Sequence, residues 1–181
     1  MKKSGSAGVP LKALYALALA RISLGLIFLW AFFDKLWGLG FATCRDPETD
    51  VVTTMCSKAW AEGGSPTTGF LKFATDGPFA DFYRGLAGQA WVDWLFMLGL
   101  LAIGVALTFG IAVKLAAVAG SVLLLMMWTA VLPPENNPLI DDHVVYVFLL
   151  AAIAYLDGRQ ALGLGKKWRQ LAIVKQNRWL N

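Results

Sequence analysis

Two uncharged apolar segments lie almost back to back in the middle of the chain. The first, WLFMLGLLAIGVALTFGIAV, runs from Trp94 to Val113, and the second runs from Leu115 to Leu132. About 20 apolar residues suffice for a helix to cross the hydrocarbon core of a bilayer. Only helices or closed barrels satisfy all backbone hydrogen bonds there, and neither segment alternates as barrel strands do. These segments therefore predict two consecutive membrane-spanning helices.

Two more apolar segments flank this pair, and both carry ionisable residues. The first is interrupted by Arg21, Asp34 and Lys35, and the last begins near His143 and fades around residues 157 to 162. Hydrophobic residues make up 57% of the chain and charged residues 15%, whereas soluble proteins average about 25% charged residues. We predict an all-α, polytopic membrane four-helix bundle in residues 1–165, with spans at about 14–37, 91–113, 115–132 and 143–162.

Basic residues are distributed unevenly between the two ends of these predicted helices. The loop 38–90 has four bases against six acids, and residues 133–142 contain no base. The positive-inside rule therefore predicts cytoplasmic termini, with the loop 38–90 outside. No stretch interleaves bases with aromatic residues as a nucleic-acid surface does, so we expect no nucleic-acid partner. Ten bases lie at the predicted cytoplasmic end: Lys2, Lys3, Lys12, Lys114, Arg159, Lys166, Lys167, Arg169, Lys175 and Arg178.

The loop 38–90 is long enough to need structure of its own. In SPTTGFLKFA, Ser65 is a helix-capping residue type and Pro66 suits a first helical position. In DGPFADFYRGLAG, apolar residues from Phe79 to Leu86 follow helical spacing. Both segments are too short to span a bilayer. We predict two short interfacial or re-entrant helices that form a lid over the outer end of the bundle.

The two cysteines of the chain, Cys44 and Cys56, both lie in this predicted external loop. In an oxidising compartment such a pair is most simply a structural disulfide, worth on the order of 3 kcal/mol for a loop of this size. A redox-active disulfide and two free thiols are the alternatives.

Residues 166–181, KKWRQLAIVKQNRWLN, mix five bases with tryptophan and aliphatic residues. This composition predicts a basic amphipathic tail lying on the anionic cytoplasmic leaflet. A docking site for a cytoplasmic partner is the other interpretation, and the spacing does not separate the two.

The ionisable residues inside the predicted spans need partners, because a charge at membrane depth costs at least about 2.5 kcal/mol. Arg21 and Lys35 lie fourteen residues apart on one helical face, and His143 and Asp157 repeat that separation. If the first and last spans pack antiparallel, Arg21 pairs with Asp157, and Lys35 meets Asp142 and His143. The alternative is that these side chains extend to the headgroups at either end of their spans.

The polar block PPENNPLIDDH, which begins at Pro133, contains the only histidine of the chain. His143 beside acids is either a hydrogen-bonded structural group or a proton acceptor for quinol chemistry, because histidine titrates near neutral pH. A single histidine among carboxylates is a weak metal signal, so we predict no metal and no haem.

Three segments resemble the DoxX/DoxD family: RISLGLIFLWAFFDK, GGSPTTGFLKFA with GPFADFYRGLAG, and LLMMWTAVLPPENNPLIDDHVVY. The similarity extends from about Leu14 to Gly165. The family comprises four-span bacterial and archaeal membrane proteins and includes the large subunit of thiosulfate:quinone oxidoreductase. The resemblance implies a protein of the prokaryotic plasma membrane that oxidises thiosulfate to tetrathionate and passes the electrons to a membrane quinone.

The resemblance also implies site residues and partners. The archaeal enzyme of this family has a second, small subunit, so we expect such a partner or a homo-oligomer, in addition to quinone and the lipid bilayer. A non-catalytic membrane anchor or scaffold subunit of a redox complex is the other hypothesis for function, and a solute- or lipid-handling protein is the third. The expected catalytic residues are His143, Asp142, Asp141 and Lys35, and the expected substrate-binding residues are Lys35, Arg84, Lys72, Asn136, Asn137 and Glu135.

Overall fold

The computed structural model describes residues 9–135, 137–156 and 161–180. The regular structure of these residues is helical, and the strand-type pairing among them is limited to two isolated bridges. The α-helices of the described residues are α1 (Leu11–Trp37), α2 (Thr68–Phe73), α3 (Ala80–Leu86), α4 (Ala90–Phe109), α5 (Val113–Ala130), α6 (Asp142–Tyr155), α7 (Gly165–Trp168) and α8 (Ala172–Gln176).

Three of these helices, α1, α4 and α5, are long and apolar enough to cross a membrane. This confirms the prediction of an all-helical membrane protein at that level. The fourth apolar helix, α6, begins one residue before its predicted start but has only 14 residues. It ends at Tyr155 because Leu156, at φ −97° and ψ 7°, leaves the helical conformation. The predicted end of this span, around residues 157 to 162, lies partly outside the described residues.

The turn between the two central helices lies several residues before its predicted position at Lys114. Gly110 closes α4 in the left-handed conformation, at φ 68°, and Ala112 adds a second positive φ of 44°. Glycine adopts positive φ without a steric cost, so the helix can stop there. Residues 110–112 are uncharged, which is why the apolar pattern continued through the turn.

The helices α1, α4, α5 and α6 pack around one hydrophobic core. Neighbouring pairs are α1 with α4, α4 with α5, and α5 with α6, and α1 also touches α6. Core side chains include Leu24 and Phe28 of α1, Met97 and Ile103 of α4, Leu124 of α5 and Leu150 of α6.

Many large apolar side chains remain exposed on the outer faces of the same helices. A helix that is apolar on all sides suits either a large core or a lipid environment. These exposed surfaces are compatible with contact to a lipid bilayer. Examples are Leu19, Leu26, Leu98, Val118 and Phe148.

We call the end of the helices that carries α2 and α3 the lid end. There the loop after α1 folds back on the helix, because the buried carboxylate of Asp34 accepts the amides of Phe41 (2.9 Å) and Ala42 (3.0 Å). Cys44 and Cys56 form a disulfide in this loop. The pKa of the Asp46 carboxyl lies below its ordinary value because the Thr49 and Glu48 amides donate to it.

At the opposite end, Arg21 is buried at 1% exposure. Its guanidinium donates to the carbonyls of Leu107 and Thr108 in the last turn of α4, and to the carbonyl of Leu162. The predicted partner Asp157 lies outside the described residues.

The tail contains two short helices, α7 and α8. Leu164 N–H donates to the Phe109 carbonyl at 2.8 Å, so the start of the tail is attached to the end of α4. Val174 is fully buried, whereas Lys166 and Lys167 are exposed.

Candidate functional site

A cavity of about 430 Å³ lies between α4, α5 and the lid helices α2 and α3. Pockets for small ligands are typically roughly 300–1,000 Å³, predominantly apolar, with a few placed polar groups. This cavity fits that description. Its lining residues are Lys35 from α1; Pro66, Thr67, Phe70, Leu71, Tyr83 and Leu86 from the lid; Val92, Leu95, Phe96, Gly99 and Ile103 from α4; and Ala119, Val122, Leu123, Met126, Met127 and Ala130 from α5.

The first lid helix is attached to α4 through Asp93. This buried carboxylate accepts hydrogen bonds from the Thr67 hydroxyl at 2.6 Å and the Ser65 hydroxyl at 2.9 Å. The Ser65 oxygen also accepts the amide of Thr68 at 3.1 Å, which makes Ser65 a cap for the first turn of α2. Ser65 thus binds the first amide of the helix and also holds the lid on α4, although α2 begins at Thr68 and not at Pro66 as predicted.

The second lid helix is attached to α5. The Tyr83 hydroxyl bonds the Thr129 hydroxyl at 2.6 Å, and Asp76 N–H donates to the Ala130 carbonyl at 2.9 Å. Gly77 lies so close to this end of α5 that a Cβ atom there would stand 2.0 Å from the Leu132 carbonyl oxygen. The lid is thus bonded to both helices that form the walls of the cavity.

Among the described residues, Lys35 is the only charged residue in the lining of the cavity. It lies in the last turn of α1, is partly buried, and forms no ion pair within the described part of the chain. Its neighbour Asp34 acts on it electrostatically, but the Asp34 carboxylate is engaged with the amides of Phe41 and Ala42. Lys35 therefore contributes the charged side chain of a mostly apolar lining, without a paired carboxylate among the described residues.

The polar groups Thr67 and Tyr83 in the same lining are already committed to protein partners. The Thr67 hydroxyl donates to Asp93, and the Tyr83 hydroxyl bonds Thr129. A ligand in the cavity would therefore find Lys35 as its main polar contact.

The predicted histidine cluster forms a separate site at the start of α6. His143 Nδ1 lies 2.7 Å from Asp141 Oδ2 and 3.6 Å from Asp142 Oδ1. The other oxygen of Asp141 accepts the Val144 amide at 3.3 Å and caps the helix. Both Asp141 oxygens are thus engaged within the protein. Among the described residues this cluster forms no ion pair with Lys35. The predicted contact of Lys35 with Asp142 and His143 is therefore not seen as an ion pair.

The other predicted substrate-binding residues lie outside the cavity lining. Lys72 is exposed and stands 5.5 Å from the centre of the Phe73 ring, and Arg84 donates to the Thr75 carbonyl at 2.9 Å. Both are on the exposed face of the lid helices.

The turn between α5 and α6 holds the remaining predicted residues. Glu135 is exposed, and Asn137 accepts the amides of Leu139 and Ile140 at 2.9 and 3.0 Å. Asn136 lies outside the described residues. Neither Glu135 nor Asn137 reaches the cavity lining.

Several cavity residues gave no functional signal in the sequence. Phe96, Val122 and Met126 belong to uncharged apolar segments, where every position looks alike. Gly99 differs from these residues, because a glycine inside a helix is unusual. It costs about 1 kcal/mol relative to alanine. A Cβ atom at Gly99 would meet nothing within 4 Å. This glycine faces open space and is not required by a close helix contact.

Comparisons with protein-family models, with curated proteins and with solved structures find no match to this chain.

Proposed function

We propose that this protein is a four-span membrane protein of the DoxX/DoxD type that binds a membrane quinone in the cavity, as the electron acceptor of a redox reaction. The observation that carries the proposal is the position of Lys35, an ammonium group without an ion pair among the described residues, in the lining of an apolar cavity.

The chemistry of a quinone matches that lining. An ammonium group against apolar walls is unfavourable unless it meets a hydrogen-bond acceptor. A quinone presents carbonyl oxygens on an otherwise apolar ring, so one carbonyl can accept a hydrogen bond from Lys35 while the ring packs between Phe70 and Phe96. A small hydrophilic anion would satisfy the charge but leave the apolar walls without a partner. The cavity is therefore better suited to the quinone, the electron acceptor, than to thiosulfate.

The path of the chain supports a fourth crossing. Asp142 starts α6 at the lid end, and Leu150 and Ile153 of α6 are buried against the other helices. By Leu162 and Leu164 the chain has reached the opposite end, where Arg21 binds the Leu162 carbonyl and Phe109 accepts the Leu164 amide. The chain thus passes from one end of the long helices to the other, although α6 itself is short.

The redox step needs an electron donor and protons. On the family resemblance the donor is thiosulfate, and two thiosulfate ions joined as tetrathionate release the two electrons that, with two protons, convert the quinone to its quinol. Lys72 and Arg84 remain our candidate anion contacts on the exposed face of the lid, and His143 with Asp141 remains our candidate proton-exchanging pair.

Quinone binding by the purified protein in lipid nanodiscs tests this proposal. We expect Lys35→Gln to raise the Kd for a prenylated quinone about ten- to a hundredfold, since a hydrogen bond to a charged group is worth about 1.5–3 kcal/mol. Lys58→Gln, at an exposed lysine in the loop after α1, is the matched control. A prenyl alcohol, which lacks the ring carbonyls, should bind the Lys35→Gln and Lys58→Gln variants with the same affinity.

Two results would count against the proposal. The first is a parent protein that binds no quinone, and the second is equal quinone affinity in the Lys35→Gln variant and the parent.

A non-catalytic anchor is favoured by one observation, the position of Lys72 and Arg84 outside the cavity. An electron donor bound at the exposed lid would then belong to a partner subunit. In that case the purified chain binds quinone through Lys35 but does not reduce it when thiosulfate is added. Quinol formation by the isolated chain would instead establish the enzyme.

A further inference from the structure

We infer that the ligand enters the cavity sideways from the bilayer, through a gap between α4 and α5, and not through the lid. The inference rests on the proposed function, because it concerns the same cavity. It identifies the substrate as a quinone dissolved in the membrane, with a long prenyl tail, and excludes a water-soluble quinone as the physiological ligand.

The lid end of the cavity is closed by bonds to both of its walls. Asp93 of α4 accepts hydrogen bonds from two lid hydroxyls, those of Ser65 and Thr67. On the other side, the Tyr83 hydroxyl bonds Thr129 of α5. Access from this end would require these buried or partly buried contacts to break.

The side of the cavity between α4 and α5 is open by comparison. Leu95 of α4 is 66% exposed, and Val122 and Met126 of α5 are 54% and 43% exposed, although all three line the cavity. Other parts of the lining are buried, for example Ile103, Leu71 and Ala130. Residues that line a cavity and are also exposed mark its opening.

This opening lies along the apolar part of the two helices. Leu95, Val122 and Met126 belong to the segments long and apolar enough to cross a membrane. Their exposed apolar surface therefore faces lipid under the proposed topology. A prenyl tail could remain among lipid chains in this gap while the ring reaches Lys35.

Gly99 keeps the gap wide. It lies one turn from Leu95 on the same face of α4, and the next residue in that row is Ile103, at the closed wall. A Cβ atom at Gly99 meets no neighbouring helix within 4 Å, so we expect a longer side chain there to project into the gap.

Association kinetics of a long-chain quinone with the protein in vesicles test the route. We expect Gly99→Leu to slow association about tenfold, because its side chain narrows the gap. Val122→Trp, at the lipid-exposed rim, should slow it in the same direction and serves as a second variant. Gly85→Leu is the matched control on the lid, where a Cβ atom also meets nothing within 4 Å. Gly85→Leu should stay within about twofold of the parent.

A variant of the lid contact separates the two routes. Asp93→Asn weakens the bonds to Ser65 and Thr67, so it should speed association several-fold only if the ligand passes through the lid. Faster association in Asp93→Asn, or unchanged association in both Gly99→Leu and Val122→Trp, would overturn the lateral route. Either result would leave the proposed function intact as long as the parent binds quinone and Lys35→Gln weakens that binding.

Discussion

The buried guanidinium of Arg21 donates to backbone carbonyls at the end of a neighbouring helix and at Leu162. Its donors reach the carbonyls of Leu107 and Thr108, which belong to the last turn of α4, and the carbonyl of Leu162. Carbonyl groups at a helix C-terminus lack intrahelical partners and carry partial negative charge. A cation at this position satisfies them, and the charge is stabilised away from water. Arg21 is therefore a cap for α4 supplied by α1.

Replacing Arg21 should test this role. We expect Arg21→Met to lower the free energy of unfolding by about 2–3 kcal/mol, because several buried carbonyls lose a charged donor. Arg21→Lys should recover part of this, since lysine keeps the charge but cannot fork between carbonyls. Thermal unfolding in detergent, followed by tryptophan fluorescence, measures the change. Lys12→Met, at an exposed position of the same helix, is the control, and an Arg21→Met variant as stable as that control would refute the capping role.

The close contact between the helices α1 and α4 depends on one glycine in each of them. A Cβ atom at Gly25 would lie 2.5 Å from the Thr108 hydroxyl oxygen and 2.6 Å from the Thr108 backbone nitrogen. On α4, a Cβ atom at Gly104 would lie 2.9 Å from the Leu29 nitrogen. Small residues let helix backbones approach closely in membranes.

Replacing Gly25 and replacing Gly99 by alanine should therefore affect stability differently. We expect Gly25→Ala to destabilise the protein by about 1–3 kcal/mol, because the new methyl group meets backbone that cannot move aside. Gly99→Ala should be neutral or stabilise by up to about 1 kcal/mol, since it removes a glycine from a helix interior without a clash. The unfolding temperatures of the two purified variants decide this. Equal stability of both variants would show that the helices are not packed as closely as described.

At the scale of the whole molecule, the exposed charges are distributed unevenly between its two ends. At the lid end, Glu135 lies in a turn without bases, whereas at the opposite end Lys114, Lys166 and Lys167 are exposed. Lys12 at the start of α1 belongs to the same basic end. On the positive-inside rule this asymmetry predicts that the basic end lies in the cytoplasm.

Labelling of single cysteines in whole cells tests that orientation. Glu135→Cys should react with a membrane-impermeant maleimide in intact cells, because we place its turn outside. Lys166→Cys should react only after the membrane is permeabilised. The parent protein, whose cysteines are joined in a disulfide, is the unlabelled control. The reverse pattern of labelling would invert the proposed topology.

The helices themselves follow from amino-acid type and spacing. The long apolar runs predict α1, α4 and α5 because the thickness of a bilayer sets how many such residues a helix needs. Capping and turn residues such as Ser65 likewise predict the short lid helices, since these signals act over a few neighbouring residues. The sequence does not mark the turn at Gly110, because the residues on both sides of it are uncharged.

The cavity, its lateral opening and the partners of Arg21 come from the way the helices pack. Each spanning helix is apolar on nearly all sides, so its sequence does not encode which face meets a neighbour and which meets lipid. Lys35 was recognisable as a charge in a span, yet its place in the cavity depends on how α1 is rotated against α4 and the lid. Close approach at Gly25 and the hydrogen bonds of Asp93 set that arrangement, because both act between residues far apart in the chain.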